Sequence, residues 1–364
     1  TYRDDFGIGE SAAGVLSGSF AAGTLVMALP AGWLAARFGS RRTVIAGLVG
    51  IGIFSPTFGF ADELWLLDLS RFLQGASGAM MWAGAMSWVI LASPKEHRGQ
   101  VIGTVIAAAV VGELLGAPLG AVAHEVGTEI VFGSVFFLAA GLIVVAMSLP
   151  PTAETNSQPI REAVTILRRS AVPKAVLILA GPSLAFGLVI VLAPLHMDDL
   201  GASPFLIAAA FAAGSVIEAV IGPLIGRYSD RVGRIAPYLG GLGVLSISVV
   251  AIGLFNLLPL IVVAVVMVAF GAGLAFTPAS SLVADTAAMS GLKQGYASGA
   301  SNVAWGGGQM VGAAGGGFLA SATGYLVPCL LTAGVLFVIA LVARGVVPAS
   351  PGILADGEIA ENEV

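Results

Sequence analysis

The chain has 364 residues, 57% of them hydrophobic and only 10% charged, with a formal net charge of −5. Soluble domains carry about 25% charged residues, so the composition excludes an ordinary soluble globular protein. The apolar runs reach 18 residues or more, enough to cross a hydrocarbon core of roughly 30 Å, and they are far longer than the ~10-residue alternating strands of a membrane barrel. The expected class is all-α and polytopic, because in lipid only helices satisfy the backbone of such runs.

Residues 1–10 are polar. Apolar spans are then predicted at about 11–35, 43–60, 65–92, 101–123, 130–149, 174–195, 205–226, 235–255, 258–288, 299–322 and 325–347. The first two flank a short basic loop, GWLAARFGSRR (32–42), which returns between later spans as GRYSDRVGR (226–234). Gly32, Arg37 and Gly39 match Gly226, Arg231 and Gly233 at a constant offset of 194. A loop recurring in this way marks two copies of one membrane unit. In the second copy the span 174–195 precedes the helix leading to the loop, and the first copy has no counterpart. The expectation is a twelve-span, six-plus-six protein seen without its first helix. The run 258–288 is long for one span, and Pro278 predicts a kink with the remainder entering the interface.

The expected organisation is an N-terminal bundle (1–149), a linker (150–173), a C-terminal bundle (174–347) and a tail (348–364) with four acids and no Lys or Arg. Within the linker, Ile160, Val164 and Leu167 recur at helical spacing beside Arg168 and Arg169. That predicts a short helix over 159–170, either at the membrane interface or packed on the bundle. Arg37, Arg41, Arg42, Lys95, Arg98, Arg161, Arg168, Arg169, Lys174, Arg227, Arg231, Arg234 and Lys293 all fall in alternate connections, and the intervening ones carry no Lys or Arg. The positive-inside rule places the linker and tail in the cytoplasm and the N-terminal residues outside.

Soluble-enzyme constellations are absent. There is no GxxxxGK[ST] loop for nucleotide phosphates and no GxSxG. His97, His124 and His196 fall in connections on opposite sides of the membrane and cannot form a metal cluster with one another. The single cysteine, Cys329, allows no intrachain disulfide. No enzyme activity, cofactor, metal or nucleic-acid partner is expected.

What remains is charge inside lipid, which is expensive and normally functional. Glu113 lies near the middle of 101–123 and Glu218 within 205–226, at depths within about 6 Å of each other. Adjoining helices would let these carboxylates share a proton, the alternative being structural acids hydrogen-bonded between helices. Arg71 has Gln74 one turn on and Asp68 at i−3 as the plain structural partner. Asn302, Trp305 and Gln309 are cavity candidates. Glycines recur at four-residue spacing in GELLGAPLGA (Gly112, Gly116, Gly120) and GQMVGAAGGG (Gly308, Gly312, Gly316), a pattern that serves close helix packing.

These residues resemble the major facilitator superfamily and, within it, the drug:proton antiporter-like exporters. GWLAARFGSRR is similar to the family signature G-x-x-x-D-R-x-G-R-R between helices two and three, and GRYSDRVGR to its copy between helices eight and nine. RFLQGASGA (Arg71, Gln74, Gly75, Gly78) is similar to the helix-four motif, whose Arg the family uses in proton coupling. GELLGAPLGA is similar to the Gly/Pro motif of helix five, with Pro118 one place later than usual. The family Asp is Ala36 here, and Ser40 replaces the following basic residue, while the second copy keeps Asp230, Arg231 and Arg234. The resemblance therefore implies that the Asp230 loop matters more than the first for holding the inner face closed.

The resemblance implies two pseudo-symmetric six-helix bundles, eleven helices being present, that rock around a midplane cavity in a monomer of the plasma membrane. The implied activity is export of a small hydrophobic or amphiphilic compound in exchange for protons. Glu113, Glu218 and Arg71 would couple protons, Gln74, Asn302, Trp305 and Gln309 would border the path, and Gly32, Arg37, Gly39, Arg41, Gly226, Asp230, Arg231, Gly233 and Arg234 would form the gate loops. The alternative is proton-linked uptake of a sugar, nucleoside or carboxylate. A non-transporting receptor or enzyme is more remote.

Overall fold

The structure is a computed structural model that describes residues 9–92, 125–150, 158–292 and 294–345, together with nine positions between 105 and 123. Among these residues the secondary structure is helical throughout, without strands. Glu10–Phe38 forms α1, Ser40–Gly59 α2, Leu64–Ala92 α3 and Thr128–Ser148 α4. The nine positions between 105 and 123 are also helical. The short linker helix α5 spans Ile160–Arg169. Val172–Asp199 forms α6, Pro204–Val232 α7, Ile235–Leu254 α8 and Leu258–Met289 α9. Gln294–Met310 (α10) passes through a π turn at Val311–Gly315 into Gly316–Thr323 (α11), and Leu326–Arg344 is α12. Eight helices are long and apolar enough to span a bilayer: α1, α2, α4, α6, α7, α8, α9 and α12.

The duplication is visible in the backbone. α1 and α7 each have 29 residues, and α2 and α8 each have 20. Between them stand single residues with nearly the same conformation: Gly39 at φ 90°, ψ 145° and Gly233 at φ 89°, ψ 156°. That positive φ is strained for any residue with a Cβ. A glycine there reverses the chain in one step, so the basic stretch expected as a loop is mostly helix. Gly32–Phe38 ends α1 and Ser40–Arg42 begins α2.

α9 continues through Pro278 to Met289 as one helix, because a proline removes one hydrogen bond that a long helix embedded among neighbours tolerates. The span 299–322 begins earlier, at Gln294, and contains a π turn where the sequence is VGAAG, with little side-chain bulk to hold the α-helical register. The linker helix packs on the second half. Ala163 is wholly buried in that half's core, with Ile166 and Leu167 against it, while Arg161, Arg168 and Arg169 are exposed. Its apolar face is used by the protein and is not free to enter lipid.

In the first half α3 packs against α1 and α2, and α2 against α4. In the second, α9 packs against α7 and α8, and α12 against α8. The two halves join where α10 lies along α1 and also against α6. Among the described residues the arginine-bearing connections lie at one end. Arg41 of α2 donates to the Met147 carbonyl at the end of α4, and Trp88 Nε1 donates to the Pro150 carbonyl at 3.3 Å. This end is the arginine-rich face below.

Candidate functional site between the two halves

The α1–α10 contact runs the whole length of α1. At the arginine-poor end a Cβ on Gly14 would stand 2.6 Å from the Ala313 carbonyl oxygen, and at the arginine-rich end one on Gly32 would stand 2.7 Å from that of Gly295. Between them Gly306 faces Ala21 and Leu25, and Gly299 faces Ala28. The seam is built from residues small enough to bring backbones together, as helices in lipid require.

A cationic, aromatic cluster abuts the middle of this seam. Arg71 and Gln74 sit three residues apart on α3, on one face. The guanidinium lies 5.4 Å from the Phe20 ring centroid (α1) and 5.2 Å from that of Phe58 (α2), between two π faces. Arg71 Nη1 donates to Gln74 Oε1 at 3.2 Å, and Gln74 Nε2 donates to the Phe54 carbonyl at 3.0 Å. Gln74 is buried. Asp68, the structural partner expected for Arg71, has its Oδ1 buried without a hydrogen bond, and Gln74 takes the guanidinium instead. Phe20 also meets Trp305 of α10 edge-on at 6.3 Å, and Phe58 meets Phe132 of α4 at 4.9 Å. One chain of contacts, Trp305–Phe20–Arg71–Phe58–Phe132, thus crosses from the second half into the first. It unites Arg71, Gln74 and Trp305, which the sequence shows separately. Phe20 is the missing link, and an apolar residue in an apolar run carries no signal of such a role.

Asn302 and Trp305 sit one turn apart on α10, and the Asn302 Nδ2 atom is buried without a hydrogen-bond partner. Gln309 is buried on the side facing α6, beside Gly187, and its Oε1 likewise lacks a partner. Gly308 and Gly312 press on α6 at Ala180, Ser183, Leu184 and Leu188. Gly112, Gly116 and Gly120, by contrast, are exposed, with no atom of the described residues within 4 Å of where a Cβ would stand. Glu218 is half-buried in α7 and faces Gly273 of α9, where an added Cβ would stand 3.7 Å from the Glu218 Cα. Glu113 and Pro118 lie outside the described residues, as does the side chain of Asp230.

The gate-loop residues divide. Gly32 touches the other half at Gly295. Gly226 faces Thr277 in its own half, where an added Cβ would stand 3.6 Å from the Thr277 methyl. Arg37 lies over Trp33 (5.4 Å) and Phe38 (5.8 Å) of its own helix. Arg234 pairs with Asp285 at 2.7 Å, joining the start of α8 to the end of α9. Arg231 is exposed at the end of α7.

Two polar clusters had little sequence signal. At the arginine-rich end the Tyr296 hydroxyl donates to the Gln158 carbonyl at 3.0 Å, and Gln158 Nε2 donates to Glu162 Oε1 (3.0 Å) and the Gly291 carbonyl (3.3 Å). The linker is therefore pinned to the start of α10, next to Gly295. At the opposite end, buried His196 places Nδ1 2.9 Å from the Ile252 carbonyl and Nε2 3.2 Å from Asn256 Oδ1. Its ring stacks on Tyr325 at 4.4 Å, and the Tyr325 hydroxyl donates to Asp199. Among the described residues no group of three His, Cys, Asp or Glu side chains is arranged to hold a metal.

Two repeated helical units meeting on a glycine-lined seam, with a cation and aromatic rings beside it, define the architecture of a membrane transport protein. The family model for the Major Facilitator Superfamily matches residues 1–292 and again 177–356. The chain belongs to that superfamily. It is 34% identical over 131 residues to the MFS-type transporter ppzB of Metarhizium rileyi, covering 36% of this chain and 26% of that protein. It is 25% identical over 229 residues to the multidrug resistance protein MdtH of Salmonella typhi, covering 61% of this chain and 56% of that protein. These matches thus span between about a quarter and about half of the relatives' lengths. Among solved structures, the human organic anion transporter MFSD10 (TETRAN) shares the fold at a TM-score of 0.70 with 18% identity, over 91% of this chain and 83% of that one.

Proposed function

We propose that this protein is a secondary active transporter that exports small hydrophobic or amphiphilic compounds in exchange for protons, by alternating access across the α1–α10 seam. The observation that carries the reading is the Arg71 cluster, joined through Phe20 to Trp305 on the other half. A rocking of the halves would break or remake that aromatic contact, so a solute with an apolar body and a polar end would meet a ring and a fixed charge together. Arginine stays charged at any physiological pH. It therefore tunes neighbouring carboxylates and does not itself carry the proton. Glu113 and Glu218 are the proposed proton carriers. The buried amides of Asn302 and Gln309 would find partners in a hydrated or solute-filled path. The names of MdtH and MFSD10 support a small-molecule cargo.

The arginine-rich face is assigned to the cytoplasm by the positive-inside rule, which puts the linker and tail inside; the plasma membrane is proposed as the site of export. The inner gate is assigned to the Gly32–Gly295 contact, which joins the two halves among the described residues, and to the Asp230 loop, on its likeness to the family motif. A proton gradient drives transport only if protonation favours one state over the other. In inverted vesicles holding the full-length protein, Glu113→Gln is expected to abolish gradient-driven export while the melting temperature is kept. Normal export by that variant would remove Glu113 from the mechanism. The permanent cation of Arg71 favours one competing reading, proton-linked uptake of a carboxylate. Accumulation in the opposite direction under the same pH gradient would establish it.

A further inference from the structure

Away from the seam, the surface between α2 and α4 holds a groove of about 650 Å³. That lies within the roughly 300–1,000 Å³ typical of small-molecule sites. Phe60 and Phe137 wall it and are 62% and 76% exposed, so the groove opens sideways, toward lipid. Its depth has a sequence cause. Gly52 and Gly133 line it without side chains, and Pro56 has no N–H to give the Gly52 carbonyl, which leaves an acceptor in the wall.

One end of the groove is chemically different. Glu129, in the first turn of α4, lines it at the arginine-poor face. Gly59 stands 3.1 Å from the Thr128 carbonyl and 3.4 Å from Glu129 Cα, measured from where its Cβ would be, so the end of α2 adjoins the start of α4. Asp62 and Glu63, just past α2, and Glu125, just before α4, are all exposed. The connections on this face contain no Lys or Arg. The result is an apolar trough with Glu129 at its arginine-poor end, where three more exposed carboxylates lie nearby in the chain.

We propose that this groove is a binding site for a phospholipid with a primary-amine headgroup, drawn from the leaflet at the arginine-poor face. One acyl chain lies in the trough between α2 and α4, and the ammonium meets the Glu129 carboxylate. Charge selects the headgroup class, because clustered carboxylates repel an anionic lipid. Hydrogen bonding selects within the remainder. A primary ammonium has three N–H donors for carboxylate oxygens, whereas a choline headgroup has none. The site is independent of the transport reading, because it uses neither the seam nor the Arg71 cluster.

The test is photo-crosslinking of the full-length protein in phosphatidylcholine vesicles that carry a trace of acyl-diazirine phosphatidylethanolamine or phosphatidylcholine, with labelled peptides mapped by mass spectrometry. The ethanolamine probe is expected to label 53–60 and 130–137 about threefold to fivefold more than the choline probe, the scale of one exposed ion pair. Glu129→Gln is expected to remove that preference. Gly133→Phe, which fills the groove beside Phe60, is expected to remove labelling there and leave it elsewhere. Equal labelling of the wild type by the two probes overturns the proposal, and that measurement needs no variant to fold. Displacement of the ethanolamine probe by tetraphenylphosphonium overturns it too, by making the occupant a cationic solute.

Discussion

Gly39 and Gly233 turn the chain with nearly the same backbone angles, yet the side chains around them have different partners. In the second copy Arg234 meets the Asp285 carboxylate. In the first, 194 residues earlier, Ser40 stands in place of Arg234 and Leu91 in place of Asp285. There Arg41 turns to a backbone carbonyl of α4 and Arg37 to the rings of Trp33 and Phe38. The same asymmetry runs deeper in the membrane, where Arg71 of the first copy corresponds to buried Val265 of the second. Backbone geometry survives duplication because glycine at a positive φ and small residues at close contacts have few substitutes. Charge has no such constraint, and Arg71 of the first copy already reaches the other half through Phe20 and Trp305. The first copy therefore carries the charged centre and the cross-half contact, and the second carries an ion pair internal to itself.

This division makes the two copies unequal under mutation. The largest effect is expected at Gly32. Leucine there would drive a side chain into the Gly295 carbonyl, an overpacking of about 1–3 kcal/mol. Transport by the full-length protein is expected to fall by about tenfold or more. Gly226→Leu, facing Thr277 at ordinary contact distance, should stay within about twofold. Initial rates in vesicles, normalised to folded protein, measure both, and equal losses would break the comparison. Next comes Arg71→Lys, which keeps the charge but loses the flat guanidinium between two rings and its bond to Gln74. The contacts at risk are worth about 0.5–2 kcal/mol, so a loss of roughly threefold to thirtyfold in apparent substrate affinity is expected. An unchanged affinity would show that charge alone matters. The smallest effect is at Arg234. Its pair with Asp285 is partly exposed, and Arg234→Gln is expected to lower the apparent melting temperature by about 1 °C in dilute buffer. That difference should shrink near 1 M salt, where the screening length falls to about 3 Å. A salt-independent loss would mean that Arg234 acts by packing.

Much of the candidate site was legible one residue at a time. Arg71, Gln74, Asn302, Trp305 and Gln309 stand out because polar groups are costly inside lipid. Their grouping was not legible. Phe20 and Phe58 are ordinary in apolar runs, and only packing shows that they enclose Arg71 and reach Trp305. Asp68 was the natural partner for Arg71 at i−3, but the guanidinium bonds Gln74 on the inward side of the helix. The close contact across the seam at Gly32 and Gly295 was not legible either, because glycines have no charge to notice.

The amino-acid sequence by itself determined the class, the duplication and the side on which positive charge gathers. Each follows from local quantities: the length of apolar runs, a repeat at fixed offset, and arginines in alternate connections. Only the tertiary structure decided which helices form the seam, that the linker helix spends its apolar face on the second half, and that a groove between α2 and α4 ends at Glu129. Those outcomes depend on which small residues meet across helices far apart in sequence. In an apolar chain with 50 glycines, almost every helix offers a face that could be chosen.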